Sequence, residues 1–300
     1  MSVVIPAYNR PEMVTRAVTS ALNQSGLRPA EVIVVDDCSS DGTAEAASTA
    51  GARVIRHERN QGEGGSRNTG IRAAEHPWVA LLDSDDEWRP HHLSVLWPMR
   101  EDRVLVSASC QARGDGPDDG RIQGPGTREP VDLRSPAQLA HPMNFVPPSA
   151  VMLRRDAVVA AGGFDPGLER GADLDLWLRL LERGRGIASP EVTGVYHVHA
   201  GQVSDDKAAM EDAHLDILRA YESRPWCSPA LLRRREGVSA WDSFRRRAAE
   251  GDRARGLMGL AGALSDPRRL GGLAGALRQR RRIRRQQARI SASSSTPAVS

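Results

Sequence analysis

The sequence predicts an α/β fold: a mostly parallel sheet flanked by helices, followed by a helical, basic C-terminal extension. Three observations carry this. Short, nearly uninterrupted apolar runs recur along the first hundred residues, the mark of strands buried on both faces. Segments with helical spacing lie between them, as crossover connections require. Each run also stops at a polar or acidic turn, where ligands bind in sheets of this kind.

The elements follow in order. Residues 2–6, Ser2-Val3-Val4-Ile5-Pro6, form a first strand stopped by proline. Residues 12–24 place Val14, Ala17, Val18, Ala21 and Leu22 on one helical face. Residues 31–35 are a second buried strand ending at Asp36-Asp37. Ser40 or Asp41 caps the next helix, 43–50, which Gly51 closes. Residues 53–56 are a third strand, 60–65 a glycine-rich loop and 69–75 a helix. Val79-Ala80-Leu81-Leu82 is the fourth strand. Gly114 to Gly126, rich in Gly, Asp and Pro, reads as a flexible or inserted loop. A strand at 149–153, a helix at 155–160 and a turn at Gly162-Gly163-Phe164-Asp165-Pro166 follow. Residues 173–183 are strongly amphipathic, with Trp177 on the apolar face, and 192–199 read as a further strand. From about residue 205 the chain is helical, and 291–300 read as disordered.

Three hundred residues suffice for one large domain with an appendage. The three cysteines, Cys38, Cys110 and Cys227, are too few and too scattered for a disulfide framework or a zinc site, which points to a reducing cytosol. No apolar stretch reaches the roughly 18 residues of a membrane span, and the strand at residue 2 leaves no room for a signal peptide. The net charge of +3 conceals an asymmetry. From Ser228 onward 17 arginines face 5 acids, a surplus of 12, so the first 227 residues carry −9.

The most informative octet is Leu81-Leu82-Asp83-Ser84-Asp85-Asp86-Glu87-Trp88. Three carboxylates emerge where the fourth strand leaves the sheet, and carboxylates this crowded repel unless a cation lies among them. Hard oxygen ligands suit Mg²⁺ or Mn²⁺. A solvated acidic turn is the plain alternative.

Six motifs stand in order: Val4-Ile5-Pro6-Ala7-Tyr8-Asn9; Val35-Asp36-Asp37; Asn60-Gln61-Gly62 with Ser66-Arg67-Asn68; Leu82-Asp83-Ser84-Asp85-Asp86; Gly162-Gly163-Phe164-Asp165; and Asp173-Leu174-Asp175-Leu176-Trp177-Leu178-Arg179. This series, covering about residues 2–205, resembles the family 2 glycosyltransferases, inverting enzymes with the A-type, Rossmann-like nucleotide-sugar fold.

The resemblance implies a site. Pro6, Ala7 and Tyr8 would line the nucleotide pocket. Asp37, rather than Asp36, would accept from a uracil or thymine N3–H. Asn60 and Gly62 begin the loop over the donor, and Arg67 would contact base or diphosphate. Asp83 and Asp85 match the Asp-x-Asp motif that holds Mn²⁺ or Mg²⁺. Asp85 would touch the metal and Asp83 the metal or the ribose, with Ser84 beside the donor and Asp86 a rival ligand. His199 would complete the metal site, and His197 stands where relatives often carry an arginine. Asp173 would be the catalytic base, with Asp175 the competitor. The family often has Glu-Asp where this chain has Ala172-Asp173. His91-His92 read as a solvated helix start.

The implied activity is a hexosyltransferase-type, metal-dependent single transfer from a UDP- or dTDP-sugar to an acceptor hydroxyl. The implied organisation is a catalytic domain at 1–205, a helical basic extension at 206–290 and the tail. Within the catalytic domain, 1–100 would bind the nucleotide sugar and 101–205 the acceptor. A degenerate transferase fold serving as a scaffold through its basic tail is the alternative. The seven arginines of Arg278–Arg289 are either a solvated face or a contact with the inner surface of the cell membrane. Without interleaved aromatics they do not suggest nucleic acid.

Overall fold

The computed structural model describes residues 1–249 except 116–117, 141–143, 200–201 and 203–205; past 249 it describes only scattered single positions. Ser204, the tail at 291–300 and the Arg278–Arg289 run apart from Arg278 and Arg281 lie outside the described residues.

In chain order the elements are β1 (Ser2–Ala7), α1 (Pro11–Leu22), β2 (Glu31–Asp36), α2 (Thr43–Thr49), β3 (Arg53–Arg56), α3 (Gly62–Ala73), β4 (Trp78–Leu81), β5 (Glu87–Trp88) and α4 (His92–Leu96). They continue with β6 (Leu105–Arg113), β7 (Ile122–Gln123), β8 (Val131–Leu133), α5 (Ala137–Ala140), β9 (Val151–Arg154), α6 (Arg155–Ala160), α7 (Ala172–Leu181), β10 (Gly186–His197), α8 (Lys207–Ala220) and α9 (Pro229–Ala249). The main sheet runs β3-β2-β1-β4-β9-β6-β10-β5, with β7 beside β6 and β8 beside β10. Strands β3, β2, β1 and β4 are parallel, as are β6 and β10; β9 lies antiparallel between these two groups.

The strand chemistry explains why helices cover both faces. Val3 and Ile5 of β1 join one apolar cluster, with Val14, Ala17, Val18 and Ala21 of α1. Val4 joins the other, with Ile71 of α3 and Leu174, Trp177 and Leu181 of α7. All three β1 residues are fully buried, and each such burial stabilises by about 1.5–3 kcal/mol. With α1 on one face and α3 on the other, the strand order reverses at β1. The crevice beyond the carboxyl ends of β1 and β4 is therefore the topological switch point.

Several expectations need correction. Helix α3 starts at Gly62, seven residues before the expected 69, because Gly62 takes a left-handed φ of 74° that lets the chain turn directly into the helix. Strand β6 was not anticipated: Ser107, Ser109 and Cys110 interrupt its apolar run, yet all are buried. The expected loop at 114–126 contains β7, which pairs with β6 as a hairpin. Strand β10 begins at Gly186, earlier than the expected 192. His92 is not solvated. It is fully buried, stacks on Trp88 with ring centroids 4.2 Å apart and bonds Thr193 Oγ1 at 2.7 Å. Burial pushes its imidazole down to about 3, so it stays neutral. Trp177 is core, as expected.

Candidate active site

Four loops meet at the switch point. After β1, Ala7 accepts from the Asp37 N–H at 2.8 Å, which ties the first loop to the second. Pro6 and Ala7 are buried there, whereas Tyr8 is 49% exposed and presents its ring at the rim. Asp37 is buried after β2. Its Oδ1 accepts from Gln61 N–H at 2.9 Å and lies 2.7 Å from His57 Nδ1. His57 Nε2 in turn meets Thr69 Oγ1 at 3.0 Å. Oδ2 of Asp37 has no side-chain partner among the described residues. Asp36 is tied inward instead, with Oδ1 accepting from Ser39 N–H at 3.3 Å and Oδ2 3.2 Å from Arg56 Nε. Asn60 donates to the Asp37 carbonyl at 3.3 Å and accepts from Gly62 N–H at 3.1 Å, so it shapes the loop entering α3.

Two motifs distant in sequence form one unit. Asn68 Nδ2 donates to the Phe164 carbonyl at 2.7 Å, and Asn68 Oδ1 accepts from Phe164 N–H at 2.8 Å. Gly163 has φ 73°, and a Cβ there would collide with Asn68 Oδ1. The clamp brings the Phe164 ring beneath Arg67, whose guanidinium carbon lies 5.2 Å from the ring centroid. Arg67 is almost wholly buried, donates to Asp83 Oδ1 at 2.5 Å and pairs with Glu63.

The acidic octet divides by role. Asp83 N–H donates to Ser149 Oγ at 3.2 Å, and Ser84 is buried beside it. Asp85 Oδ2 accepts from Arg10 Nη1 at 2.6 Å and lies 3.0 Å from His199 Nε2. Burial alone would raise the Asp85 carboxyl; Arg10 and His199 outweigh it and hold it below the ordinary carboxylate range. Asp86 is committed to the scaffold. Ser149 Oγ donates to its Oδ2 at 2.5 Å and the His197 N–H to its Oδ1 at 3.0 Å. Burial, with Asp83 and Asp85 nearby, raises its carboxyl well above the usual range. The His197 ring faces Glu87 at 3.4 Å.

The two carboxylates of α7 also separate. Asp175 Oδ2 takes Arg179 Nη2 at 2.5 Å and Nε at 3.0 Å, while Oδ1 accepts from Tyr221 Oη at 2.7 Å. Asp173 is half-buried and, among the described residues, accepts one bond, from Asn144 Nδ2 at 2.8 Å. It is near enough to act electrostatically on both Glu63 and Arg67. Arg67 draws the Glu63 carboxyl down, but burial and the Asp83, Asp85 and Asp173 charges outweigh it and push it up to about 7. Half of the Glu63 side chain is exposed, so solvent tempers that rise.

Four carboxylates thus share two guanidiniums, an excess of negative charge that suits a cation. Asp85 and His199 offer an oxygen and a nitrogen on one side of the crevice, with Asp83 two residues away. Among the described residues no three His, Cys, Asp or Glu side chains converge on one point. A hard cation would therefore take few protein ligands and fill its shell with phosphate oxygens and water, the habit of Mg²⁺. Sequence reasoning missed Arg10, His57, Asn144 and Ser149; each acts through a partner at least 20 residues away, and no local pattern marks it.

Known proteins bear on this geometry. The succinoglycan biosynthesis protein ExoO of Rhizobium meliloti is 33% identical over 88% of this chain and 81% of its own length. The pre-mycofactocin glycosyltransferase of Mycobacterium tuberculosis is 31% identical over 68% of this chain; the match spans 44% of that longer protein. Among solved structures, Staphylococcus aureus TarS 1–349 in complex with UDP-GlcNAc aligns over 88% of this chain and 79% of its own, with a TM-score of 0.64 at 17% identity. The mannosyltransferase PcManGT of Pyrobaculum calidifontis, in complex with GDP-Man and Mn²⁺, aligns over 97% and 85%, with a TM-score of 0.60 at 21% identity. The family model for glycosyl transferase family 2 matches residues 2–160, which contain β1 to β4 and every motif up to Asp86. The chain belongs to glycosyl transferase family 2 and carries the A-type fold of these nucleotide-sugar transferases.

Proposed function

We propose that the protein catalyses an inverting, metal-assisted single transfer of a hexose from a pyrimidine nucleoside-diphosphate sugar to an acceptor hydroxyl, with Asp173 as general base. The observation that carries this reading is the division of labour on α7: Asp175 is bound through both oxygens, whereas Asp173 has one hydrogen-bond partner among the described residues, Asn144 Nδ2 on its Oδ2. A carboxylate oriented through one oxygen, beside a site holding Arg67 and Asp83, can take a proton from a hydroxyl.

The chemistry divides among the chain's own residues. Oδ2 of Asp37 accepts from the N3–H of uracil or thymine, held in place by His57 and Gln61 on the other oxygen. Tyr8 covers the base from the rim, and Pro6, Ala7 and Ser84 bound the nucleotide. Asn60 and Gly62 hold the loop over the donor, and Arg67 supplies fixed positive charge toward the diphosphate. Asp85, His199 and Asp83 would hold Mn²⁺ or Mg²⁺, a Lewis acid that stabilises charge on the departing diphosphate. In the transfer the acceptor oxygen bonds to the anomeric carbon from the face opposite the phosphate. The bond to the phosphate oxygen breaks, the diphosphate leaves with the electron pair, and Asp173 receives the acceptor proton. Asn144 keeps the Asp173 carboxylate oriented.

The GDP-Man and UDP-GlcNAc complexes of the structural neighbours support a nucleotide-sugar donor, and the succinoglycan relative supports a growing glycan as acceptor. No helix among the described residues is long and apolar enough to cross a membrane. The test compares Asp173→Asn with wild type. Turnover should fall by about 10³-fold while UDP affinity stays within about threefold, since a general base contributes typically 10²–10⁴. A variant that keeps its turnover would move the base elsewhere. Wild-type protein without transferase activity on any sugar nucleotide would favour the scaffold alternative.

A further inference from the structure

Each aspartate of the Asp-x-Asp pair already has an arginine: Arg67 on Asp83 and Arg10 on Asp85. Arg67 is locked by the Phe164 ring and Glu63. Arg10 is not. Its backbone is pinned while its side chain is 33% exposed. The pinning is thorough. Asn9 takes a left-handed φ of 51°. Its N–H donates to Ser39 Oγ at 2.9 Å, and its Oδ1 accepts from Ser40 N–H at 2.9 Å. Arg10 N–H donates to Thr43 Oγ1 at 2.8 Å, and Pro11 fixes the chain beyond it. The turn thus holds the Arg10 Cα at the mouth of the crevice and leaves a long cationic arm free to pivot.

That arm stands on Asp85 Oδ2, the atom also nearest His199 Nε2. A guanidinium keeps its charge at any physiological pH, so it neutralises Asp85 permanently unless it moves. The Asp85 oxygen that faces His199 thus already holds a tethered cation. Arg16 makes the contrast. Its Nη2 donates at 2.6 Å to the Asp85 carbonyl and not to the carboxylate, so it braces the loop without competing for the ligand atom.

We propose that Arg10 is an internal counter-ion that occupies the Asp85 cation position in the donor-free protein and passes to the donor's diphosphate when the divalent cation arrives. The planar fork of arginine suits both partners, a carboxylate oxygen and a phosphate. The exchange conserves local charge: the two charges of the entering divalent cation match those of the sugar diphosphate that enters with it, and the guanidinium released from Asp85 stays in the site to meet that diphosphate. The inference rests on the metal-assisted reading above. It makes Arg10 a positioning residue for donor and metal together, so metal alone should bind weakly and metal with nucleotide well.

The test is Mn²⁺ titration without nucleotide, followed by electron paramagnetic resonance, together with UDP titration at saturating Mn²⁺ by calorimetry. Wild type is compared with Arg10→Met and Arg10→Lys. Arg10→Met should bind Mn²⁺ alone about tenfold more tightly and UDP about tenfold more weakly, the scale of one charge-assisted hydrogen bond gained or lost. Arg10→Lys keeps the charge without the fork, so it should match wild type for Mn²⁺ alone and still lose UDP affinity. A merely structural arginine would weaken both ligands in both variants, and that result, or unchanged Mn²⁺ affinity in Arg10→Met, overturns the proposal. If Arg10→Met does not fold, the Arg10→Lys pattern decides by itself. Wild type that binds UDP equally with and without Mn²⁺ would remove the metal-assisted reading along with this one, whereas metal-dependent UDP binding with unchanged variants would remove this one alone.

Discussion

At the amino end of β2, Glu31 uses both carboxylate oxygens. Oε1 accepts from Ser2 Oγ at 2.6 Å and Glu75 N–H at 2.8 Å, and Oε2 from Arg53 Nη2 at 2.8 Å. At the carboxyl end of the same sheet, Asp37, Asp83, Asp85 and Asp173 each meet their side-chain partners among the described residues through one oxygen. All five are carboxylates; what differs is completion. A carboxylate with both oxygens bound lowers the energy of the fold and has nothing left for a ligand. One bound through a single oxygen is oriented and keeps hydrogen-bonding capacity that a ligand can use. The contrast teaches which acids to call structural. Asp86 and Asp175 lie at the carboxyl end yet, like Glu31, have both oxygens occupied.

The comparison can be broken most sharply on α7. Asp173→Asn should cost turnover about 10³-fold, or about 4 kcal/mol of barrier, with its melting temperature near wild type. Asp175→Asn should do the reverse, losing stability through the Arg179 and Tyr221 bonds. Thermal melts and steady-state rates on the pair would dissolve the contrast if both variants lost only activity. Next in size, Asp83→Asn should weaken UDP binding by about 10- to 100-fold while leaving Arg67 paired with Glu63, and calorimetry reads it directly. Gly163→Ala should lose about 2 kcal/mol or more by chemical denaturation, because the new Cβ meets Asn68 Oδ1 at a left-handed φ.

The smallest expected effect lies at the amino end. Burial alone would raise the Glu31 carboxyl, but donors from Ser2, Glu75, Arg53 and His76 outweigh it and bring it down to about 2 from 4.5. A depressed carboxylate stabilises above its unfolded pKa and loses that contribution as pH falls through the folded value. Glu31→Gln should therefore cost on the order of 1–2 kcal/mol at neutral pH, after allowance for partial solvent screening. The gap to wild type should close between about pH 4.5 and 2, with UDP affinity unchanged throughout. A change in UDP affinity would blur the two ends.

How much of this was legible follows from the same physics. Strands β1, β2 and β4 were readable because burial on both faces demands unbroken apolar runs, and their acidic stops marked the site. Helix α3 was half hidden: Gly62, Gly64 and Gly65 lower helix propensity, and tertiary packing against β1 overrides it. Strand β6 was hidden by its serines. Ser109 satisfies its hydroxyl on the Ser189 carbonyl at 3.2 Å, a partner no local pattern indicates. At the candidate site, the sequence singled out Asp37, Asp83, Asp85 and Asp173, but not which oxygen of each is held by a side chain. That depends on Arg10, Ser149, Asn144 and His57, whose partners arrive from other loops.

The most direct test of the central claim, that the carboxylates at the carboxyl end bind a nucleotide and its cation, is a calorimetric titration of the folded protein with UDP, dTDP and GDP, in Mn²⁺ and in EDTA. The expected result is binding of a pyrimidine diphosphate over GDP, weakened by EDTA about tenfold or more, as loss of a cation between Asp85 and the phosphates implies. Folded protein that binds none of the three would contradict it.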